Sequence, residues 1–246
     1  MTATAHDTAR LPSFPAADPP FGYDDLPGLM ARMTGADKHA PASDSLTDAL
    51  WVLHESVLRL DPAHPEAEDR DRFLLSRGHG PMSYYAVLAA RGFLDPALLD
   101  GFGTYQSPLG HHPDRTLVPG VEISSGSLGH GLPLGVGTAL GLRARGLHGP
   151  RVWVMVGDAE LDEGSNHEAL EFAGASGLDS LHLVVVDNAS ATWGDAESRA
   201  ARIAAAGWSL TRADGRDHAD LRRACTLPHL GRPHAVLAQV EPKHAG

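Results

Sequence analysis

Asp158 and Asn188 each sit just past a short apolar run, and each carries an oxygen that suits a hard cation. Val152 to Val156 ends at Gly157-Asp158, and Leu181 to Val186 ends at Asp187-Asn188. A carboxylate and an amide oxygen are donors for Mg²⁺ or Ca²⁺. Mg²⁺ commonly joins a few protein oxygens to phosphate oxygens. Gly157 lets the backbone come close to a ligand. Free N–H groups at a following helix start favour an anion. The pair predicts one metal ion and a diphosphate at the same spot. Taken singly, Gly-Asp and Asp-Asn are also ordinary turn residues after strands.

The two runs are rich in Val and Leu with little alternation, which suits strands buried on both faces of a parallel sheet. Parallel neighbours need a crossover, and Glu163 to Ser176 is long enough for a helix. Ala169, Leu170, Phe172, Ala173 and Ala175 give it one broad apolar face. A right-handed crossover brings both strand ends to one sheet edge, where ligands of open α/β sheets bind.

Further elements follow from spacing. Ser43 to Leu60 has helical periodicity, with Ser43 as a cap. Pro81 to Arg91 is a second helix. Asp95 to Phe102 is a third, capped by Asp95 with Pro96 in its first turn. Gln106 to Gly120 is a loop. Ser127 to Arg145 is a helix despite five glycines, which implies that another backbone or a ligand lies close. Asp195 to Ala206 and Asp217 to Thr226 are helices. Trp208 to Arg212 and His234 to Val240 are strands. The order predicts an α/β fold, a doubly wound and mostly parallel sheet flanked by helices.

Composition narrows the function. A chain of 246 residues can bury one large core. A net charge of −11 argues against nucleic acid. No apolar run is long enough to span a bilayer, and no secretory signal is visible. One cysteine, Cys225, excludes an intrachain disulfide and points to a cytoplasmic setting. Among fifteen histidines, no His/Cys spacing matches a structural zinc site. Residues 1–22 are rich in Ala, Pro and Asp without periodicity, as in a flexible tail, which leaves 23–246 as the folded domain.

The region around Asp158 resembles the thiamine diphosphate signature, which begins Gly-Asp-Gly and closes in Asn, and it is most similar to transketolase. The carrying residues are DEGSNHEA at 162–169, DRDRFLLSRGHG at 69–80 and GVEISSGSLGHG at 120–131. By this resemblance Asp158, Asn188 and the Ser190 carbonyl hold Mg²⁺. Gly157, Asp158, Ala159 and Asn188 contact the cofactor, and Gly126, Ser127 and Leu128 line its aminopyrimidine. His39, His79 and His112 are the implied active-site histidines; an imidazole can exchange protons with a ketose hydroxyl near neutral pH. Any one of them is otherwise an ordinary surface or core histidine. Glu163 matches a glutamate at the interface between thiamine-fold partners, and its position also suits a helix N-terminal carboxylate.

The resemblance covers about residues 25–242, the first transketolase domain. It implies that the glutamate activating the cofactor ring lies on a second subunit with the pyrimidine-binding domain, in an α₂β₂ assembly. The implied reaction is transfer of a two-carbon ketol from a ketose donor. The acceptor is an aldose, or a carrier-protein thiol or lipoyl arm as in 2-oxo acid dehydrogenases. A non-catalytic, cofactor-binding relative is the reading from another class. Three departures stand out: Ala159 replaces the last glycine of Gly-Asp-Gly, Arg216 stands where the family commonly has histidine, and the family's glycine-containing loop and further histidine after the last strand find no match, with His244 the one possible substitute.

Overall fold

The computed structural model describes residues 19–34, 40–229 and 231–242. Residues 1–18 of the expected tail lie outside that range, as do His39 and His244. Five strands form the sheet: β1 (Arg72–Leu75), β2 (Val152–Gly157), β3 (Leu181–Asp187), β4 (Ser209–Asp214) and β5 (His234–Gln239). Their order is β1-β2-β3-β5-β4, and every neighbouring pair is parallel. The helices are α1 (Leu26–Ala31), α2 (Ala40–Val52), α3 (Met82–Ala90), α4 (Gly131–Ala144), α5 (Gly164–Ala175), α6 (Ala196–Ala205) and α7 (His218–Thr226).

Alternate strand residues feed two cores. Phe73, Trp153, Met155, Val184 and Val236 face the layer of α1, α2, α3 and α7. Leu74, Val154, Leu183, Val185 and Leu237 face α4, α5 and α6. β1, β2 and β3 are buried along their whole length, so their apolar runs show no alternation. The doubly wound α/β sheet is therefore as the sequence predicts, with one strand more.

That extra strand, β1, is four residues long and lies inside the 69–80 motif. Its polar start hides it: Asp71 is fully buried and binds the guanidinium groups of Arg59 at 2.9 Å and Arg151 at 2.6 Å. Other expectations need correction. Ser43 is no cap, because α2 already runs from Ala40. The Ser43 hydroxyl is buried and donates to the Gly80 carbonyl. After Val52 the helix widens into a π-helical turn over Leu53–Val57. The glycine-rich helix starts at Gly131, not Ser127, and Asp95 caps a 3-10 turn over Pro96–Gly101. Phe172 is half exposed rather than buried. It lies about 100° round α5 from Ala173, away from the sheet.

The loop after β1 enters α3 in one layer, and the loop after β2 leads to α5 in the other. Neighbouring strands whose connections part this way leave a crevice at their carboxyl ends.

Candidate cofactor site

Three strand ends meet at this crevice. β2 and β3 are paired with Gly157 opposite Val186, so Asp158 and Asp187 leave the sheet side by side. Asp158 is fully buried and Asn188 nearly so. The loop after β3 folds back over Asp158. One carboxylate oxygen accepts from the backbone N–H of Ser190 at 2.6 Å and of Ala191 at 2.9 Å. The other accepts from the Ser190 hydroxyl at 2.7 Å. The turn that permits this runs through Ala189, whose φ of 53° is left-handed and strained for a residue with a Cβ. Arg199 on α6 holds the loop from below, 2.6 Å from Asp187 and 3.9 Å from Asp158.

The donor set fits a hard cation. The Asn188 side-chain oxygen is buried and has no hydrogen-bond partner. A buried amide oxygen left so is costly unless a cation or water satisfies it. It stands beside a buried carboxylate in a loop anchored by that carboxylate, which is oxygen chemistry suited to Mg²⁺.

Gly157 also has a packing role. A Cβ there would lie 3.1 Å from the Arg77 side chain, so this glycine makes room for Arg77. Ala159 keeps an ordinary φ as the first residue of a 3-10 turn over Ala159–Asp162, so the methyl in place of glycine is tolerated.

A second cluster lies over the end of β1. The rings of His79 and His112 meet edge to face at 5.4 Å between centroids. Backbone contact brings them together. A Cβ on Gly78 would sit 2.6 Å from the Gly126 nitrogen, and one on Gly126 would sit 2.7 Å from the His112 ring. Gly126 has φ 133°, open only to glycine. Ser127 and Leu128 are exposed on the same loop, and Glu163 is exposed beside Gly129.

Sequence reasoning missed three residues of this edge. Glu160 is buried, and one of its oxygens accepts from the Ser76 hydroxyl and from Gly129 N–H at 2.9 Å. The Ser76 hydroxyl oxygen in turn accepts from Gly131 N–H at 2.8 Å. Burial raises the Glu160 carboxyl above the usual carboxylate range, against the pull of these hydrogen bonds and the charge of Arg77. Arg77 and Arg199 complete the set. A charge two residues past Asp158, and an arginine immediately before Gly78-His79-Gly80, were the available signals. Arg216, the departure from histidine, is tied to Asp48 at 2.6 Å and Glu241 at 2.8 Å.

Comparison with known proteins places the chain in a family. Residues 33–240 match the family described as transketolase, thiamine diphosphate binding domain. A protein of Rhodococcoides fascians named ferredoxin fas2 is 52% identical over 220 residues, which is 89% of this chain and 72% of that protein. One of the subunits of an apulose-4-phosphate transketolase from Actinobacillus succinogenes is 38% identical over 149 residues, 61% of this chain and 54% of that one. The solved transketolase of Leishmania mexicana superposes with a TM-score of 0.70 at 26% identity, covering 85% of this chain and 37% of its own. This chain thus spans about half of the Actinobacillus relative and little over a third of the solved transketolase. No described helix is long and apolar enough to cross a membrane. The single Cys225 cannot supply the four thiolates of a ferredoxin-type cluster. Motif, fold and the geometry of the carboxyl edge converge, and the chain belongs to the transketolase family, to its thiamine diphosphate-binding domain.

Proposed function

We propose that this chain is the diphosphate-binding subunit of a two-chain, thiamine diphosphate-dependent, transketolase-like transferase. It moves a two-carbon ketol unit from a ketose donor. The observation that carries this is the buried Asp158 carboxylate beside an Asn188 oxygen that lacks any partner, at the carboxyl edge of a parallel sheet. The similarity to a protein named as one subunit of a transketolase supports the split into two chains.

Asp158, Asn188 and the Ser190 carbonyl would hold Mg²⁺, and through it the diphosphate. When bound, thiamine diphosphate supplies a nucleophilic carbon for cleavage next to a ketose carbonyl. This chain's residues bind and orient. Gly157 and Ala159 flank the metal ligand, and Gly126, Ser127 and Leu128 would line the aminopyrimidine. His79 and His112 are placed together to hold or move a proton at a ketose hydroxyl; His39 joins them by resemblance alone. Glu163 would face the partner, which carries the pyrimidine-binding domain and the activating glutamate in an α₂β₂ assembly. The setting we propose is cytoplasmic, on the single cysteine.

Calorimetry with thiamine diphosphate and Mg²⁺ tests the site. Asp158→Ala should abolish metal-dependent cofactor binding while the protein stays folded. Unchanged binding by that variant would remove Asp158 from the site. Ketol-transfer assays test the split: the purified chain should be silent until the partner chain is supplied. Assays with aldose and with thiol acceptors then identify the second substrate.

A further inference from the structure

Three histidines meet at the opposite, amino-terminal edge of the sheet, remote from the cofactor crevice. His182 is the second residue of β3 and His234 the first of β5, and the two are register partners. His229 lies on the connection between α7 and β5. One ring nitrogen from each of the three falls within 4.8 Å of the others. The His182 and His229 rings meet edge to face at 4.8 Å, and those of His229 and His234 stack at 5.0 Å.

Their hydrogen bonds leave a ring nitrogen open on each. His229 Nδ1 lies 2.8 Å from the Arg232 carbonyl, which can only accept, so the proton is on Nδ1 and Nε2 carries a lone pair. His234 Nε2 is engaged by the Thr211 hydroxyl at 3.1 Å. Its Nδ1 is buried without a partner, and so is His182 Nδ1. An imidazole oriented through one nitrogen by a carbonyl or hydroxyl, with the other nitrogen open, is the arrangement of a metal ligand and its outer support. Trp153, stacked on His182 at 4.0 Å, fixes that ring.

We propose that His182, His229 and His234 form a binding site for one divalent transition-metal cation of the zinc type. Imidazole donors select zinc, nickel or copper over Mg²⁺, so this site and the oxygen site at the other edge do not compete. Tetrahedral zinc places its ligand atoms roughly 3.3 Å apart. The half-buried His229 supplies the closing movement. A cavity of about 380 Å³ lined by His182 and His229, and also by His148, Asp179 and Cys225, leaves room for water as the fourth ligand. The nearby Arg151 charge is matched by Asp71 at 2.6 Å. The ligands come from two strands and a loop: His229 and His234 stand five residues apart, a His-x4-His spacing, while His182 comes from a separate strand, so no complete zinc-type motif marks the set. The bound ion would tie the last crossover to the centre of the sheet.

The test uses the full chain, untagged and stripped of metal by a chelator. One equivalent of Co²⁺ should give the visible absorption bands of a tetrahedral site, displaced by Zn²⁺ and unaffected by Mg²⁺. Zinc at about a hundredfold above its Kd should raise the thermal midpoint by roughly 5–10 °C, and a chelator should reverse the rise. His229→Ala should weaken cobalt binding about tenfold or more and remove the zinc-dependent rise. His229→Asn, which keeps a donor for the Arg232 carbonyl, should do the same if the alanine variant folds poorly. Asp158→Ala should keep both signals. The proposal is overturned if the wild-type chain shows no tetrahedral bands, or if those bands survive in either His229 variant.

Discussion

Glu160 joins three loops of the cofactor edge through one buried oxygen. Ser76 after β1 and Gly129 before α4 both donate to it, and the Glu160 carbonyl accepts from the Asn166 amide at 2.6 Å. Removing the acceptor leaves two buried donors unpaired, at about 1–3 kcal/mol each. Glu160→Ala should therefore lose roughly 2–4 kcal/mol in urea unfolding. Glu160→Gln keeps an acceptor oxygen and sheds a buried charge, so it should stay within about 1 kcal/mol of wild type. The raised carboxyl sets the pH sign: its contribution is full below the unfolded pKa and falls as pH rises through the folded one, a slope that Glu160→Gln should lack. Two variants indistinguishable from wild type would refute the joining role. At this scale the sequence offered His79, His112, Asp158 and Asn188 as candidates through segments that resemble a family. It did not show Glu160, whose partners are 84 and 31 residues away. The meaning of a buried carboxylate is set by what the fold brings to it.

The glycines of α4 divide by what they face, and the division is measurable. A Cβ on Gly131 would lie 2.1 Å from the Ser76 Cβ, and one on Gly135 would lie 2.4 Å from Val154. These two answer the sequence puzzle of a helix rich in glycine: β1 and β2 press against it. Gly137 and Gly141 face open space. Gly137→Ala should stabilise the isolated chain by roughly 0.5–1 kcal/mol through helix propensity. Gly131→Ala should destabilise by about 1–3 kcal/mol or more through overpacking. Chemical denaturation of the pair checks the assignment, and equal effects would reject it. The π-helical turn after α2 carries a pH effect. His54 is buried there against Phe73 and Tyr84, its Nδ1–H donating to the Leu50 carbonyl at 2.8 Å. Burial lowers its pKa to about 4. A depressed histidine contributes stability above its unfolded pKa, near 6.5, and loses it as pH falls toward 4. Between pH 7 and 5 the loss should be about 2 kcal/mol, and His54→Phe should flatten that part of the stability profile. Helix and strand types were largely legible from periodicity. Ends were not, as at Ser43 and Ser127, because tertiary contacts such as Ser43 to Gly80 decide them.

At the scale of the molecule, α4 and α5 pack side by side on one face of the sheet and leave apolar groups in solvent. Phe172 on α5 is 50% exposed and Leu134 on α4 is 49% exposed. Gly137 and Gly141 lie on the same helix as Leu134 without side chains to cover the surface. Leu128 is exposed on the loop leading into α4, near the exposed Glu163. Leu128 lies on the loop proposed to line the cofactor, so we expect a second subunit seated over this loop and helix pair to reach the ring of a cofactor held there. Exposed apolar residues on neighbouring helices suit an association surface, and we propose that the second subunit seats on this one. Leu134→Lys and Phe172→Asp place charges where a partner would bury them unpaired, a change that commonly costs several kcal/mol of binding. In the free chain both side chains already face water, so each variant should melt within a few degrees of wild type. The expected outcome is loss of ketol transfer and of co-purification with the pyrimidine-domain partner, while metal-dependent cofactor binding by the isolated chain, seen in calorimetry, persists in part. Partner binding and activity that survive both substitutions would move the interface elsewhere on the molecule and leave the proposed cofactor site untouched.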